Sequence, residues 1–311
     1  MNVKNRQLLK QLLLLSGLIA APSLFAQMVN IDHITRKWLD SAYADQSPAQ
    51  KLDIYLPESG DGPFPVILSI HGGAFSGGDK RDGQVTPMLE GLKRGYAVVS
   101  INYRLSGEAI WPAQINDCKA AVRWIRANAD DYKLAAGKIA AWGGSAGGHL
   151  SAMLGTAGDV ALLEDLSQGN AQQSSRVQAV VDWFGPTNFL TMDELQKQSG
   201  IPNPMIHSVP KSPESLLIGG NLEDFPDRVS SANPETYISK DAPPFLIQHG
   251  TEDNLVPHLG SLLFARKLGM ALGYEKVALE FFPNTGHGGP AFNTRENLER
   301  VFTFLDKVLV K

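Results

Sequence analysis

A chain of 311 residues, 43% hydrophobic and 19% charged, suits one soluble globular domain in the single-domain size range of α/β sheet proteins. The net charge is −4; the first 26 residues hold Lys4, Arg6 and Lys10 and no acid, so the remainder carries −7, a mildly acidic body with no basic run, which excludes nucleic acid as a partner. The single cysteine, Cys118, excludes an intrachain disulfide and lies too far downstream to be a lipoprotein anchor.

The chain opens with the three basic residues, an apolar run over 12–21, and Leu24-Phe25-Ala26. This order predicts a secretory signal over residues 1–26, with cleavage before Gln27. The run is too short to cross the ~30 Å hydrocarbon core as a helix. The mature chain, 27–311, is therefore expected in a periplasm or secreted, without stable membrane insertion. Residues 51–56 alternate and read as an edge strand. Near-continuous apolar runs follow at 65–70, 96–101, 139–142, 177–184, 245–248 and 277–282. Strands covered on both faces look like this, as in a parallel sheet. Helical spacing intervenes at 113–128, 259–272 and 294–309. The alternation predicts a single α/β domain with a mostly parallel sheet. Between 186 and 243 eight prolines and Gly219-Gly220 break long elements. That stretch reads as a cap insertion of short helices and loops, with Met205, Leu222 and Phe225 as lid candidates.

Residues 143–147, Gly-Gly-Ser-Ala-Gly, fit the G-x-S-x-G nucleophile elbow centred on Ser145. A strand-like run precedes it and a helical run follows, the context that would hold the serine on a strained turn. A serine hydroxyl needs a base within hydrogen-bond reach, and the base needs an orienting carboxylate. Among seven histidines, only His287 follows the last strand in a glycine-flanked loop, so it is read as the general base. Asp253 is read as the acid, ahead of its neighbour Glu252 and of Asp182, which ends the strand after the elbow helix. His149 and His249 are read as structural. The loop Ile70-His71-Gly72-Gly73-Ala74-Phe75 follows a strand as the HGGG-type motif does; the amides of Gly73 and Ala74, with that of Ala146, are expected to form an oxyanion hole. Phe75, Trp111, Trp183 and Phe184 flank these loops and could line a substrate groove.

Taken together, the elbow 143–150, the loop 71–75, Asn102-Tyr103-Arg104-Leu105, the loop from His249-Gly250 through Asp253 to Val256-Pro257, and Gly286-His287-Gly288 carry a family resemblance. The chain resembles the α/β-hydrolase esterases of the hormone-sensitive-lipase-like branch. It is most similar to the group of bifunctional acetylxylan and feruloyl esterases (BD-FAE). The resemblance covers roughly residues 45–310. It implies an eight-stranded sheet flanked by helices and hydrolysis of carboxylic esters, on small molecules or oligosaccharides, without a metal or cofactor. Two departures are Ala74, where the HGGG form has its third glycine, and Gly144, where lipases of the branch often carry Asp. A general short-chain carboxylesterase is the alternative within hydrolases; a non-catalytic binding protein on the same scaffold is the alternative outside them.

Overall fold

Every long apolar run becomes a strand of one eight-stranded sheet in the computed structural model, which describes residues 28–310. The expected signal segment lies outside the described residues. In chain order the elements are β1 (Lys37–Ala42), β2 (Lys51–Tyr55), β3 (Phe64–Ile70), α1 (Thr86–Leu89), β4 (Ala97–Ile101), α2 (Ala113–Ala127), β5 (Leu134–Gly144), α3 (Ala146–Thr156), β6 (Ala179–Trp183), α4 (Met192–Ser199), α5 (Pro213–Ile218), α6 (Pro226–Ser231), β7 (Phe245–Gly250), α7 (His258–Leu272), β8 (Val277–Phe282) and α8 (Arg295–Leu309). The spatial order is β1-β2-β4-β3-β5-β6-β7-β8. The pairs β1·β2 and β2·β4 are antiparallel and all the others parallel.

Strand side chains alternate between faces, so each buried strand feeds two cores. Val66, Leu68 and Ile70 of β3 join the larger core with Ala121, Val122 and Ile125 of α2, Leu150 and Met153 of α3, and Phe264 and Leu268 of α7. Ile67 of β3, Trp142 of β5 and Val181 of β6 turn the other way, onto Met88 of α1 and Val301, Phe302 and Leu305 of α8. Burial on both faces is why these strands are apolar at nearly every position. Fully burying each Ile, Leu or Phe contributes about 1.5–3 kcal/mol before chain entropy is counted. Helix α8 shows the complementary pattern: its buried positions Asn297, Val301, Phe302, Leu305 and Leu309 form one stripe, and Thr294 caps it by accepting from the Asn297 amide.

The strand at 51–56 is not an edge. Strand β1 covers β2, pairing Lys37 with Tyr55 and Ala42 with Lys51 across a bulge between Trp38 and Ser41. As the true edge, β1 is mostly exposed, so it carries no apolar signature in the sequence. The insertion holds the short helices α4, α5 and α6. Leu222 is buried in the larger core with Phe225 packed against it, so neither lies over Ser145; only Met205 of the three lid candidates lines the adjacent pocket. Among the described residues no helix is long and apolar enough to cross a membrane. Because β3, β5, β6, β7 and β8 run parallel, the loops after them emerge at one edge of the sheet, where open α/β sheets gather reacting groups.

Candidate active site

Strand β5 turns into α3 through a single residue, Ser145, at φ 57° and ψ −124°. This left-handed backbone is unfavourable for a residue with a Cβ and is held by its surroundings. The Ser145 amide donates to the Trp183 carbonyl at 2.9 Å. The turn can close only because its neighbours lack side chains. A Cβ on Gly147 would stand 2.0 Å from the Ile70 carbonyl oxygen, and one on Gly143 would stand 2.4 Å from the Gly147 backbone. Gly143 and Gly147 of the motif are thus demanded by close approach of β3 to the elbow.

Three loops bring their side chains to this turn. His287 Nε2 lies 2.9 Å from Ser145 Oγ, and His287 Nδ1 lies 2.7 Å from Asp253 Oδ2. Since a carboxylate only accepts, Nδ1 carries hydrogen and Nε2 is left to accept from the serine hydroxyl. Asp253 is fully buried. Its Oδ1 accepts the Leu255 and Val256 amides, each at 2.9 Å. Burial by itself would raise this carboxyl, but hydrogen bonds from His249 and His287 hold it well below the usual carboxylate range. Glu252 stays exposed, away from the imidazole. Asp182 is buried beneath the elbow helix, accepts the Gly185 amide at 3.0 Å and makes no hydrogen bond to a histidine; burial pushes it up to about 6, against a smaller lowering by nearby His249.

The loop after β3 faces the serine from the other side. Gly73, Ala74 and Phe75 all have positive φ, 105°, 56° and 59°. The Ser76 and Gly77 amides fold back onto the Gly73 carbonyl, both at 3.0 Å. No acceptor among the described residues takes the amides of Gly73 and Ala74. Ala146 opens α3, where first-turn amides have no intrahelical partner. The same loop is fastened by residues whose part the sequence did not disclose. The Tyr103 hydroxyl donates to the His71 carbonyl at 3.0 Å while the two rings stack at 4.4 Å. Asn102 donates to Asp79 at 2.9 Å and accepts the Lys80 amide at 2.6 Å.

A pocket of about 250 Å³ opens beside Ser145, walled by Ala74, Phe75, Met205, Leu255 and His287, with His207 and Glu214 along one side. A larger cavity, about 570 Å³, lies between residues 29–34 and α1, and among the described residues no hydrogen bond joins the Ser59 or Thr86 hydroxyl in its wall to His33, Glu58 or Glu90. Of the four aromatic candidates only Phe75 lines the pocket. Phe184 packs its ring edge-to-face 4.8 Å from that of His287 and braces the imidazole. Trp183 leaves β6 on the opposite face from Asp182 and packs on Trp142 at 5.0 Å and Phe292 at 5.3 Å. Trp111 is buried in the larger core and donates to Ser231 Oγ at 3.0 Å. The two tryptophans were misplaced because strand parity and core depth decide where a ring points.

The insertion is clasped to the Asp253 loop at four points: the Met205 amide donates to the Asn254 carbonyl at 2.7 Å, His207 Nε2 to the Leu255 carbonyl at 2.9 Å, Gln196 Nε2 to the Asp253 carbonyl at 3.3 Å, and the Asn254 side-chain amide donates back to the Asn203 carbonyl at 3.4 Å. His207 Nδ1 meets Glu214 Oε2 at 2.9 Å. Burial would lower this imidazole, yet Glu214 lifts it above its ordinary value. His149 is caged by Phe75, Trp111 and Phe189 and donates from Nδ1 to the Pro186 carbonyl at 2.8 Å; burial pulls it down to about 4, so it stays neutral. Among the described residues no group of three His, Cys, Asp or Glu is arranged to hold a metal ion.

The chain is similar in sequence and in fold to known proteins. It is 36% identical over 222 residues to "Probable carboxylic ester hydrolase LipM" of Mycobacterium tuberculosis, covering 70% of this chain and 48% of that protein. It is 33% identical over 227 residues to "Esterase LipQ" of the same organism, covering 72% and 50%. The chain thus spans about half the length of these two curated relatives. Among solved structures, it superposes on a truncated carbohydrate esterase from gut microbiota with a TM-score of 0.80 and 33% identity, covering 92% of this chain and all of that one. It also superposes on a bifunctional GH43-CE protein of Bacteroides eggerthii with a TM-score of 0.77 and 36% identity, covering 88% of this chain and 35% of that one. The BD-FAE family model matches residues 52–268, more than half of the sequence, from the second residue of β2 through β7 and into α7, and the chain belongs to the BD-FAE family of α/β-hydrolase proteins.

Proposed function

We propose that the protein hydrolyses carboxylic esters through a serine-bound acyl intermediate. The observation that carries this reading is the continuous hydrogen-bonded line from Ser145 Oγ through the His287 ring to Asp253 Oδ2. Ser145 Oγ attacks the ester carbonyl carbon as His287 Nε2 takes its proton. The resulting oxyanion accepts from the free amides of Gly73, Ala74 and Ala146, donors already in place before charge develops. The tetrahedral intermediate collapses, the C–O bond to the alcohol breaks, and His287 returns the proton to the leaving oxygen. Water then adds to the acyl carbon, again giving its proton to His287, and the acid departs as Ser145 regains its hydrogen. Asp253 keeps the Nδ1–H tautomer and offsets the imidazolium charge without taking the proton.

For the substrate, we infer short acyl esters of carbohydrates, acetyl ahead of feruloyl. A pocket of about 250 Å³ falls below the ~300–1,000 Å³ of clefts that enclose drug-sized ligands. Its apolar walls, Phe75, Met205 and Leu255, suit a small acyl group, and two structural neighbours are described as carbohydrate esterases or carry such a unit. Two measurements test the reading. A fluorophosphonate probe should label Ser145 in folded protein; an absent adduct would return the chain to a non-catalytic binding role. Comparing p-nitrophenyl acetate, acetylated xylan and methyl ferulate should rank the acetyl esters first. Preference for methyl ferulate would overturn the acyl assignment, and indifference to the carbohydrate would favour a general short-chain esterase.

A further inference from the structure

Asp253 Oδ2 receives two imidazoles. One is His287; the other is His249, whose Nε2 lies 3.0 Å away. The same Nε2 lies 3.1 Å from the Val256 carbonyl oxygen. Neither partner can donate, so Nε2 carries hydrogen and shares it between them. The other ring nitrogen, Nδ1, meets the Ser261 hydroxyl of α7 at 2.7 Å. His249 is fully buried on β7, where its backbone is registered opposite Phe281 of β8, and it does not line the pocket beside Ser145. A residue with no access to substrate and both ring nitrogens occupied acts, if it acts, through its neighbour.

We propose that His249 is a positioning residue, a second imidazole that fixes the Asp253 carboxylate and draws part of its charge away from His287. The proposal rests on the Ser145–His287–Asp253 reading above. Two backbone amides pin Oδ1, but they leave the position of Oδ2 to be set by its own partners. His249 supplies a donor from rigid sheet, whereas His287 comes from a loop. With His249 in place, Oδ2 divides its charge between two rings. Without it, the buried oxygen would concentrate on His287 alone, hold the imidazolium more tightly, and make the base available only at higher pH. The other ionisable groups around the pair are Asp182 on β6 and His258 at the start of α7, and neither hydrogen-bonds His249 or Asp253.

The test compares wild type, His249→Leu, His249→Gln, Ser261→Ala and Asp253→Asn on p-nitrophenyl acetate across roughly pH 5–9 in half-unit steps, with thermal unfolding as a folding check. His249→Leu should lower kcat about ten- to a hundredfold, as expected for losing a charge-assisted hydrogen bond, with KM within about twofold. The acid limb of its kcat/KM profile should move up by about half a pH unit or more. His249→Gln, whose amide can reach the Nε2 position, should recover most of kcat and return the limb toward wild type. If the Leu variant does not fold, Ser261→Ala decides: it removes only the hydroxyl at Nδ1 and should move the limb in the same direction by less. An unmoved limb in the folded variants, or Gln no better than Leu, overturns the proposal. The parent reading is scored separately: an active Asp253→Asn sinks both, while an inactive Asp253→Asn beside an unaffected His249→Leu sinks only the role of His249.

Discussion

Gly147 lies so close to Ile70 that a Cβ on it would be 2.0 Å from the Ile70 carbonyl oxygen. The contact couples the end of β3, which leads into the Gly73–Ala74 loop, to the elbow that carries Ser145. One backbone approach therefore sets the spacing between Ser145 and the amides that face it. Gly147→Ala should force these two segments apart. We expect it to destabilise the fold by about 1–3 kcal/mol or more, the range of overpacking in a rigid core, and to depress kcat in whatever fraction stays folded. Urea unfolding midpoints check the first expectation; a variant as stable as wild type would show that the elbow and β3 are free to separate.

Ser145→Ala removes the nucleophile and leaves its strained backbone in place. Turnover of p-nitrophenyl acetate should fall by about 10⁴-fold or more while the thermal midpoint changes little. Residual activity near wild type would mean that another group performs the attack.

Asp182 offers a stability test with a definite sign. Burial raises its folded value to about 6, above the ordinary carboxylate range. A raised value means that the folded state favours the protonated form. Its contribution is therefore fully present below the unfolded pKa of ~3.9 and is lost as pH rises through about 6. Asp182→Asn keeps an oxygen for the Gly185 amide and cannot ionise. Its stability should match or exceed wild type at pH 7.5, by up to about 2–3 kcal/mol, and the gap should close toward pH 4. Denaturant melts at the two pH values (roughly 4 and 7.5) measure it. A variant less stable than wild type at the upper pH would show that the ionised carboxylate is useful to the fold.

The His207–Glu214 pair on the pocket wall has the same pH sign in a higher window. Glu214 raises the His207 imidazole despite burial, so the pair stabilises the fold fully below the unfolded value of ~6.5 and weakens as pH rises through the folded one. Glu214→Gln should lose stability most at pH ~6 and progressively less toward pH ~9. Because His207 also holds the Leu255 carbonyl, KM should respond in the same window. A stability deficit independent of pH would mean that packing, not charge, joins these two side chains.

Some of this architecture was open to reading from the residue order. Strands β3, β4, β5, β6 and β7 announce themselves because both faces are covered and almost every side chain is apolar. Ser145, His287 and Asp253 were legible because each sits in a short, glycine-bearing segment directly after a strand, where a parallel sheet gathers its loops. Strand β1 was not legible: an exposed edge needs no apolar period, and its bulge breaks what alternation it has.

What the residue order determined, then, is local: which stretches alternate or stay apolar, which turns need a missing Cβ, and which chemical groups stand beside them. Tertiary structure alone decided how separated groups meet. His287 reaches across 142 positions to Ser145 and 34 to Asp253. Trp183 turns to the far face while Phe75 enters the pocket, and His249, read as a simple structural residue, donates to the carboxylate itself. Periodicity is written in neighbouring residues because the backbone repeats over a few ångströms. A hydrogen bond between loops depends on how the sheet stacks and which way a side chain rotates, and no short segment carries that information.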